Sequence, residues 1–493
     1  MAAAFAPSGA QVNLSKSSVW CSVLVDTGAS GIAQVAALPT VLKQRLPTVS
    51  EAGIIQFSSE GLDKVVANRT KLFQRLTKLR DAGLPLQTVL VIARFATAGD
   101  TVYASQCQVL SQQQASQLDE IALNGVRDLL HISHTEFQPP VERWFLPWRE
   151  GGMGLQSVVH ASSANFLAGW VRDLPSIAEK IGQPNVEAVL QRAAPLERCF
   201  QQVIDHLTAN GADDLPNVSA AFEFHGTPKL ASHWRSGVLA RCKNLVESGS
   251  TPEQIVAMKA SSGPGAGAWM GVPSRQGHFL SDQEVITSIR LRMYMHVYDI
   301  PPAVNVACTH HNQTTVCGAA LDPFGVHALL CRLGGPVVRR HNKLRDVLAA
   351  ILEMLLETTV HIEQHPAEVQ DDARRPDISY IDHRGIRQWI DVAVVSPHPR
   401  SLPGQAAMTR VGALCQSMEA TKRRKYHMLS LYPAVMEHLG HMGQGICALI
   451  RSVTKNVDPY QRSQVVDAAY QTMATALQRA NVTLLAAAGE LKA

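Results

Sequence analysis

The sequence lacks a strong charge of either sign. Lys and Arg number 45, Asp and Glu 41, and the net charge is +4. A protein-wide basic surface is excluded, so any nucleic-acid footprint must be local. A long apolar run is also missing. The longest stretch, Val347 to Leu356, is broken by Glu353 and is too short to cross a bilayer. The first five residues have neither a basic n-region nor an apolar h-region, so no signal peptide is read. Nine cysteines lie at irregular spacings, which excludes a disulfide framework and points to a reducing compartment. Gly151-Gly152-Met153-Gly154-Leu155 lacks the Lys-Ser/Thr ending of a phosphate loop and follows no clear strand. What remains is 46% hydrophobic and 17% charged over 493 residues. That describes a globular protein with room for three or so domains.

Helical periodicity dominates the first two-thirds. In residues 60–82, Val65, Val66, Leu72, Phe73, Leu76 and Leu79 repeat at helical spacing. Lys71, Arg75 and Lys78 fall on another face, either as a solvated basic stripe or as a helix laid against phosphates. Further helices are expected at 86–97, 115–131, 161–182, 185–210, 228–247 and 281–298, with a loop at Ser261–Gly267. The last third changes character. A helix from Val337 to Leu356 leads into short strand-like runs at Val360–Ile362, Ile378–Ile381 and Trp389–Val395. Helices are expected at 405–430, 433–454 and 459–488. The expected fold is therefore a mainly α N-terminal two-thirds followed by a compact α/β domain with a small mixed sheet.

Two groups of residues carry chemistry. His327 and Cys331 are spaced one helical turn apart, and Cys317-Gly318 lies upstream across a turn. Cys308 is a possible fourth ligand, with His310 or His311 as alternatives. Three sulfurs and one nitrogen suit structural Zn²⁺, although the Cys308-to-Cys317 gap is wider than usual. The bland alternative is buried thiols beside an ordinary histidine. The second group is Asp377, at a strand start, and Asp391, inside the next strand. A turn at Asp382–Gly385 would bring them together. Paired carboxylates there can hold Mg²⁺ or Mn²⁺, and a carboxylate in the run Ile390-Asp391-Val392 is costly unless paired or metal-bound. The alternative is a carboxylate bonded to backbone or arginine. Glu363 is a candidate third acid. The position two residues after Asp391 is Ala393, so a cation must come from elsewhere: Lys422 or Lys425 in the run Lys422-Arg423-Arg424-Lys425. Arg339, Arg340, Arg375, Arg423 and Arg424 are further candidate phosphate contacts.

In order, Cys317, His327, Cys331, Arg375-Pro376-Asp377, Asp391 and Lys425-Tyr426 resemble the C-terminal part of non-LTR retrotransposon polyproteins with a restriction-like endonuclease. There a Cys-Cys-His-Cys knuckle precedes a PD-(D/E)xK nuclease whose lysine has moved onto a helix. The closely spaced first cysteine pair of that pattern is not present here. Upstream, Phe5–Ser17 resembles the reverse-transcriptase segment after the catalytic aspartates, with Lys16 matching a palm lysine. Residues 60–131 resemble the thumb, Gly151–Leu155 a post-thumb turn, and Arg290-Leu291-Arg292 the stretch leading into the knuckle.

The resemblance implies a palm remnant at 1–58, a thumb at 59–140, a helical linker region at 141–300, a knuckle at 301–335, the nuclease at 336–456 and a terminal amphipathic helix at 457–493. Asp26 is followed by Thr27-Gly28 instead of a second aspartate, so no polymerase activity is expected and the palm remnant is expected to pack poorly. The implied function is metal-dependent nicking of target DNA to prime reverse transcription of an element RNA. The implied partners are DNA and that RNA, with no membrane, and the implied location is nuclear. A non-enzymatic nucleic-acid-binding relic is the alternative.

Overall fold

The computed structural model describes residues 59–492 apart from 108, 134, 181, 193, 213, 216, 301–303, 367–374 and 397–407. The expectations for Phe5–Ser17, Lys16 and Asp26 lie outside the described residues. Among the described residues no helix is long and apolar enough to cross a membrane.

The contacts divide the chain into two compact units. The first contains residues 59–75, 95–125 and 156–241, and its elements are helical. Its core gathers Phe166, Phe200 and Trp234 from the helices Val158–Lys180, Ala194–Ala209 and Leu230–Ser248. Arg69 is fully buried, donates to the Thr97 and Leu118 carbonyls and pairs with Asp100. A buried guanidinium needs such partners. On the same helix, Ser59–Asp81, Lys71, Arg75 and Lys78 are exposed. Leu79, expected on the apolar face, is 45% exposed.

The second unit contains residues 76–94, 126–155 and 242–493 and holds both candidate sites. Two buried arginines brace the Gly151–Leu155 turn. Arg143 donates to Gly151 O, and Arg292 donates to Gly152 O at 3.0 Å and Ala266 O at 3.3 Å. A side chain at 152 would collide with Leu146 O, which explains that glycine.

Elements of the C-terminal part are numbered from its first helix. A short helix α1 (Val326–Leu330) precedes α2 (Pro336–Leu356). Three strands follow: β1 (His361–Ile362), β2 (Ile378–Ile381) and β3 (Arg387–Val395). Then come α3 (Ala413–Lys425), β4 (Leu431–Glu437), α4 (Gln444–Val453) and α5 (Pro459–Ala488). The four strands form one mixed sheet in the order β1-β2-β3-β4. β1/β2 and β2/β3 pair antiparallel, while β3 and β4 pair parallel with Asp391 beside Pro433 and Val395 beside Glu437. Parallel strands need a crossover, and α3 lies in that connection.

The helix expected over 281–298 stops at Met293, where Tyr294 turns left-handed at φ +54°. Residues 433–454 were expected as a single helix but form β4, a turn and α4. Pro433 would suit the first position of a helix, but pairing with β3 makes 433–437 a strand, and as an edge strand β4 tolerates the missing N–H. Gly440, at φ +117°, lies in the turn between β4 and α4.

Candidate metal centres and acid pair

The sulfurs of Cys308, Cys317 and Cys331 and a His327 ring nitrogen all lie within 4.8 Å of one another. The long Cys308-to-Cys317 gap closes because the chain doubles back. Cys317 N–H donates to His310 O at 2.8 Å, Gly318 N–H to Cys308 O at 3.1 Å, and His311 bridges Val316. Gly318 takes the left-handed φ of +63° this turn requires. Asp322 fixes the other half: its carboxylate accepts the N–H groups of Phe324, Val326 and His327 at the start of α1. His327 Nε2 then sits 3.4 Å from Cys317 Sγ.

Burial raises the Cys308 thiol to about 12 and also raises Cys331, whereas the Ala319 N–H lowers Cys317. Cys317 is therefore the readiest of the three to ionise. Three thiols and an imidazole match the donor set of structural zinc, and this Cys3His cluster can bind it. His310 is not part of this cluster; its Nε2 donates to Leu484 O of α5 at 2.9 Å.

The acids meet on the sheet. Asp377, just before β2, places Oδ2 2.6 Å from the Val392 N–H, which donates to it from β3. Asp391 is in hydrogen-bonding contact with Asp377 and has a side chain 5% exposed. Lys422 Nζ, from α3, pairs with Asp391 Oδ2 at 2.5 Å. Among the described residues, no hydrogen bond reaches that oxygen besides this ion pair. His341 of α2 points Nε2 at both Asp377 Oδ2 and Val392 O, each 3.2 Å away. Two acceptors on one nitrogen mean that Nε2 carries the proton. Nothing in sequence spacing reveals His341, which lies 36 residues before Asp377 on another element.

Electrostatics separate the carboxyls. Burial raises Asp391 to about 6, and the neighbouring Asp377 charge adds to that, against the pull of Lys422. Asp377 ends below its usual range: burial raises it, but His341 and the Val392 N–H outweigh that effect. His341 is raised chiefly by its bond to Asp377. The pair thus holds one proton near pH 5.

A pH prediction follows for the metal-free chain. The folded pKa of Asp391 exceeds the unfolded value of about 4, so its stabilising effect is complete below that pH and is lost as pH rises through about 6. Relative to Asp391→Asn, the wild type should lose on the order of 2–3 kcal/mol between pH 4 and 7.5. Urea denaturation of both proteins at the two pH values checks this. A constant difference would contradict it.

The remaining candidates lie elsewhere. The Glu363 carboxylate is exposed and pairs with Arg345, although its backbone N–H donates to Asp377 O at 2.9 Å. Lys425 Nζ sits 4.6 Å over the Tyr426 ring, and Tyr426 donates to Arg375 O at 3.1 Å. Arg340 is buried, donating to Asn481 and to Leu329 O, so it is a packing residue closed to phosphates. Arg339, Arg375 and Arg424 are exposed, and Arg423 pairs with Glu419 at 3.6 Å.

No protein-family model matches the chain, and no curated protein sequence matches it.

Proposed function

We propose that the chain is a divalent-metal-dependent DNA endonuclease of retroelement descent, as its motif order implies. One observation carries this reading: Asp377, Asp391 and Lys422 come from three separate elements and converge on a mixed sheet. Structural packing alone gives little reason to bury two carboxylates in contact. Asp377 and Asp391 would hold Mg²⁺ or Mn²⁺ through their carboxylate oxygens, with Lys422 beside them on Asp391 Oδ2. Such an ion supplies a water acidic enough to attack a phosphodiester and neutralises developing charge.

The chain's own groups do the rest. Lys422 carries a positive charge that stabilises the charge growing on the phosphate, at the place Ala393 cannot serve. His341 holds the Asp377 carboxylate by the bond from Nε2 and keeps it ionised. The exposed cations Arg339, Arg375 and Arg424 are available to the DNA backbone. Nicking would leave a 3′-hydroxyl suited to priming reverse transcription.

Nicking of supercoiled plasmid in Mg²⁺ or Mn²⁺, suppressed by EDTA, tests the reading. Within that assay the two lysines separate. Lys422→Ala should slow cleavage about 100-fold, the size of one lost electrostatic contact to the transition state. Lys425→Ala should change it less than about threefold, since its loss removes only an exposed cation–π contact. Equal effects would refute the assignment of Lys422.

A further inference from the structure

Outside the two sites above, a third cluster of donors lies buried in the same unit. Cys415 Sγ, a Glu437 carboxylate oxygen and a His441 ring nitrogen all lie within 4.8 Å of one another. Cys415 is in the first turn of α3, Glu437 ends β4, and His441 belongs to the turn that follows, where its carbonyl accepts the Glu437 N–H at 2.9 Å. We propose that Cys415, Glu437 and His441 form a second metal site, for a zinc-class divalent ion.

Three independent features support it. The first is the histidine. His441 Nδ1 donates to Ser262 O at 2.8 Å, so the lone pair is on Nε2. A ring nitrogen anchored to a backbone carbonyl with the other left basic is the usual preparation of a metal-ligating histidine.

The second is the glycine packed against that ring. Gly412 adopts φ +73°, and a Cβ there would lie 2.3 Å from His441 Nε2. A larger residue there would displace the ring, so glycine is what lets the chain pass this close to the imidazole.

The third is charge. Glu437 is 3% exposed, and the bond given to its carboxylate is the Cys415 backbone N–H, with no cation among the described residues acting on it. A buried carboxylate without a counter-charge is costly. A thiolate, a carboxylate and a neutral imidazole around a divalent ion sum to zero charge.

The donor set also selects the ion class. Sulfur and nitrogen with one carboxylate suit zinc or cobalt and not magnesium, which demands oxygen. Ligands around tetrahedral zinc stand roughly 3.3–3.8 Å apart, so closing on an ion needs a shift of about 1 Å. The site shares no residue with the Cys3His cluster. It is also distinct from the acid pair: in the β3/β4 register Glu437 lies four residues beyond the partner of Asp391, about 13 Å along the strand. Occupied, it would tie the start of α3 to the end of β4 and to Ser262.

The test counts zinc per full-length chain after stripping and reloading, with Co²⁺ absorption as a second readout. Measured throughout in an Asp391→Asn background, so that the acid pair does not hold zinc, the otherwise wild-type chain should bind two equivalents. His441→Gln should lose one and keep the thiolate-rich cobalt spectrum of the Cys3His cluster, while Cys317→Ser should lose that spectrum and keep one equivalent. Equal stoichiometry in wild type and His441→Gln would overturn the proposal. If His441→Gln does not fold, the doubly substituted Cys317→Ser/Cys331→Ser chain decides. One retained equivalent supports the second site, and none overturns it.

Discussion

Asp391→Asn is expected to abolish cleavage while leaving the fold in place. Asn has nearly the same shape, and at the middle of β3 it keeps the ladder pairing beside Pro433. It removes a full charge from the centre that would hold the ion. Loss of metal-borne stabilisation of the transition state amounts to several kcal/mol, so the rate should fall by at least about 100-fold. Mn²⁺ affinity, read by calorimetry, should fall in step. Asp377→Asn should behave likewise, because its Oδ2 also anchors the Val392 N–H and the His341 ring. A rate unchanged in Asp391→Asn would mean that the carboxylate is only a partner for Lys422.

Removing zinc from the Cys3His cluster is expected to have the largest effect on stability. The ligands come from a doubled-back loop and from α1, and Cys308, Cys331, Leu329 and Leu485 share one hydrophobic core. That core includes α5 residues, so loosening the cluster frees packing well beyond the loop. Structural zinc contributes folding free energy outright, and losing several kcal/mol of it should lower the melting temperature by on the order of 10 °C or more. Differential scanning calorimetry of Cys317→Ser, or of wild type with a strong chelator, measures this. Cys317 is only half-buried, so replacing it leaves little cavity and isolates the metal's contribution. A shift of under about 2 °C would show that packing alone holds the loop.

Sequence and structure agree where local pattern decides. The strands Ile378–Ile381 and Arg387–Val395 are legible because β-branched and aromatic residues crowd short runs there. The last helix is legible because Asp458 caps it and Pro459 starts it. Position 433 shows the limit. Apolar residues on either side read as helix, and only the parallel pairing with β3 makes them a strand. The sites divide in the same way. Asp377 and Asp391 are close in sequence and joined by a turn, so their approach can be anticipated. That Lys422 and not Lys425 pairs with Asp391 cannot, because it depends on which face α3 turns to β3. His341, and Cys415 relative to Glu437 and His441, come from separate elements and leave no spacing to read. Arg340 was expected among phosphate contacts, and only its burial against Asn481 removes it.

The central claim is tested most directly by incubating supercoiled plasmid with the full-length chain and with Asp391→Asn, each in Mn²⁺ or Mg²⁺ and in EDTA. The account predicts nicked circles only for wild type with metal. Equal nicking by Asp391→Asn, or none by wild type while a labelled duplex is still bound, would contradict it.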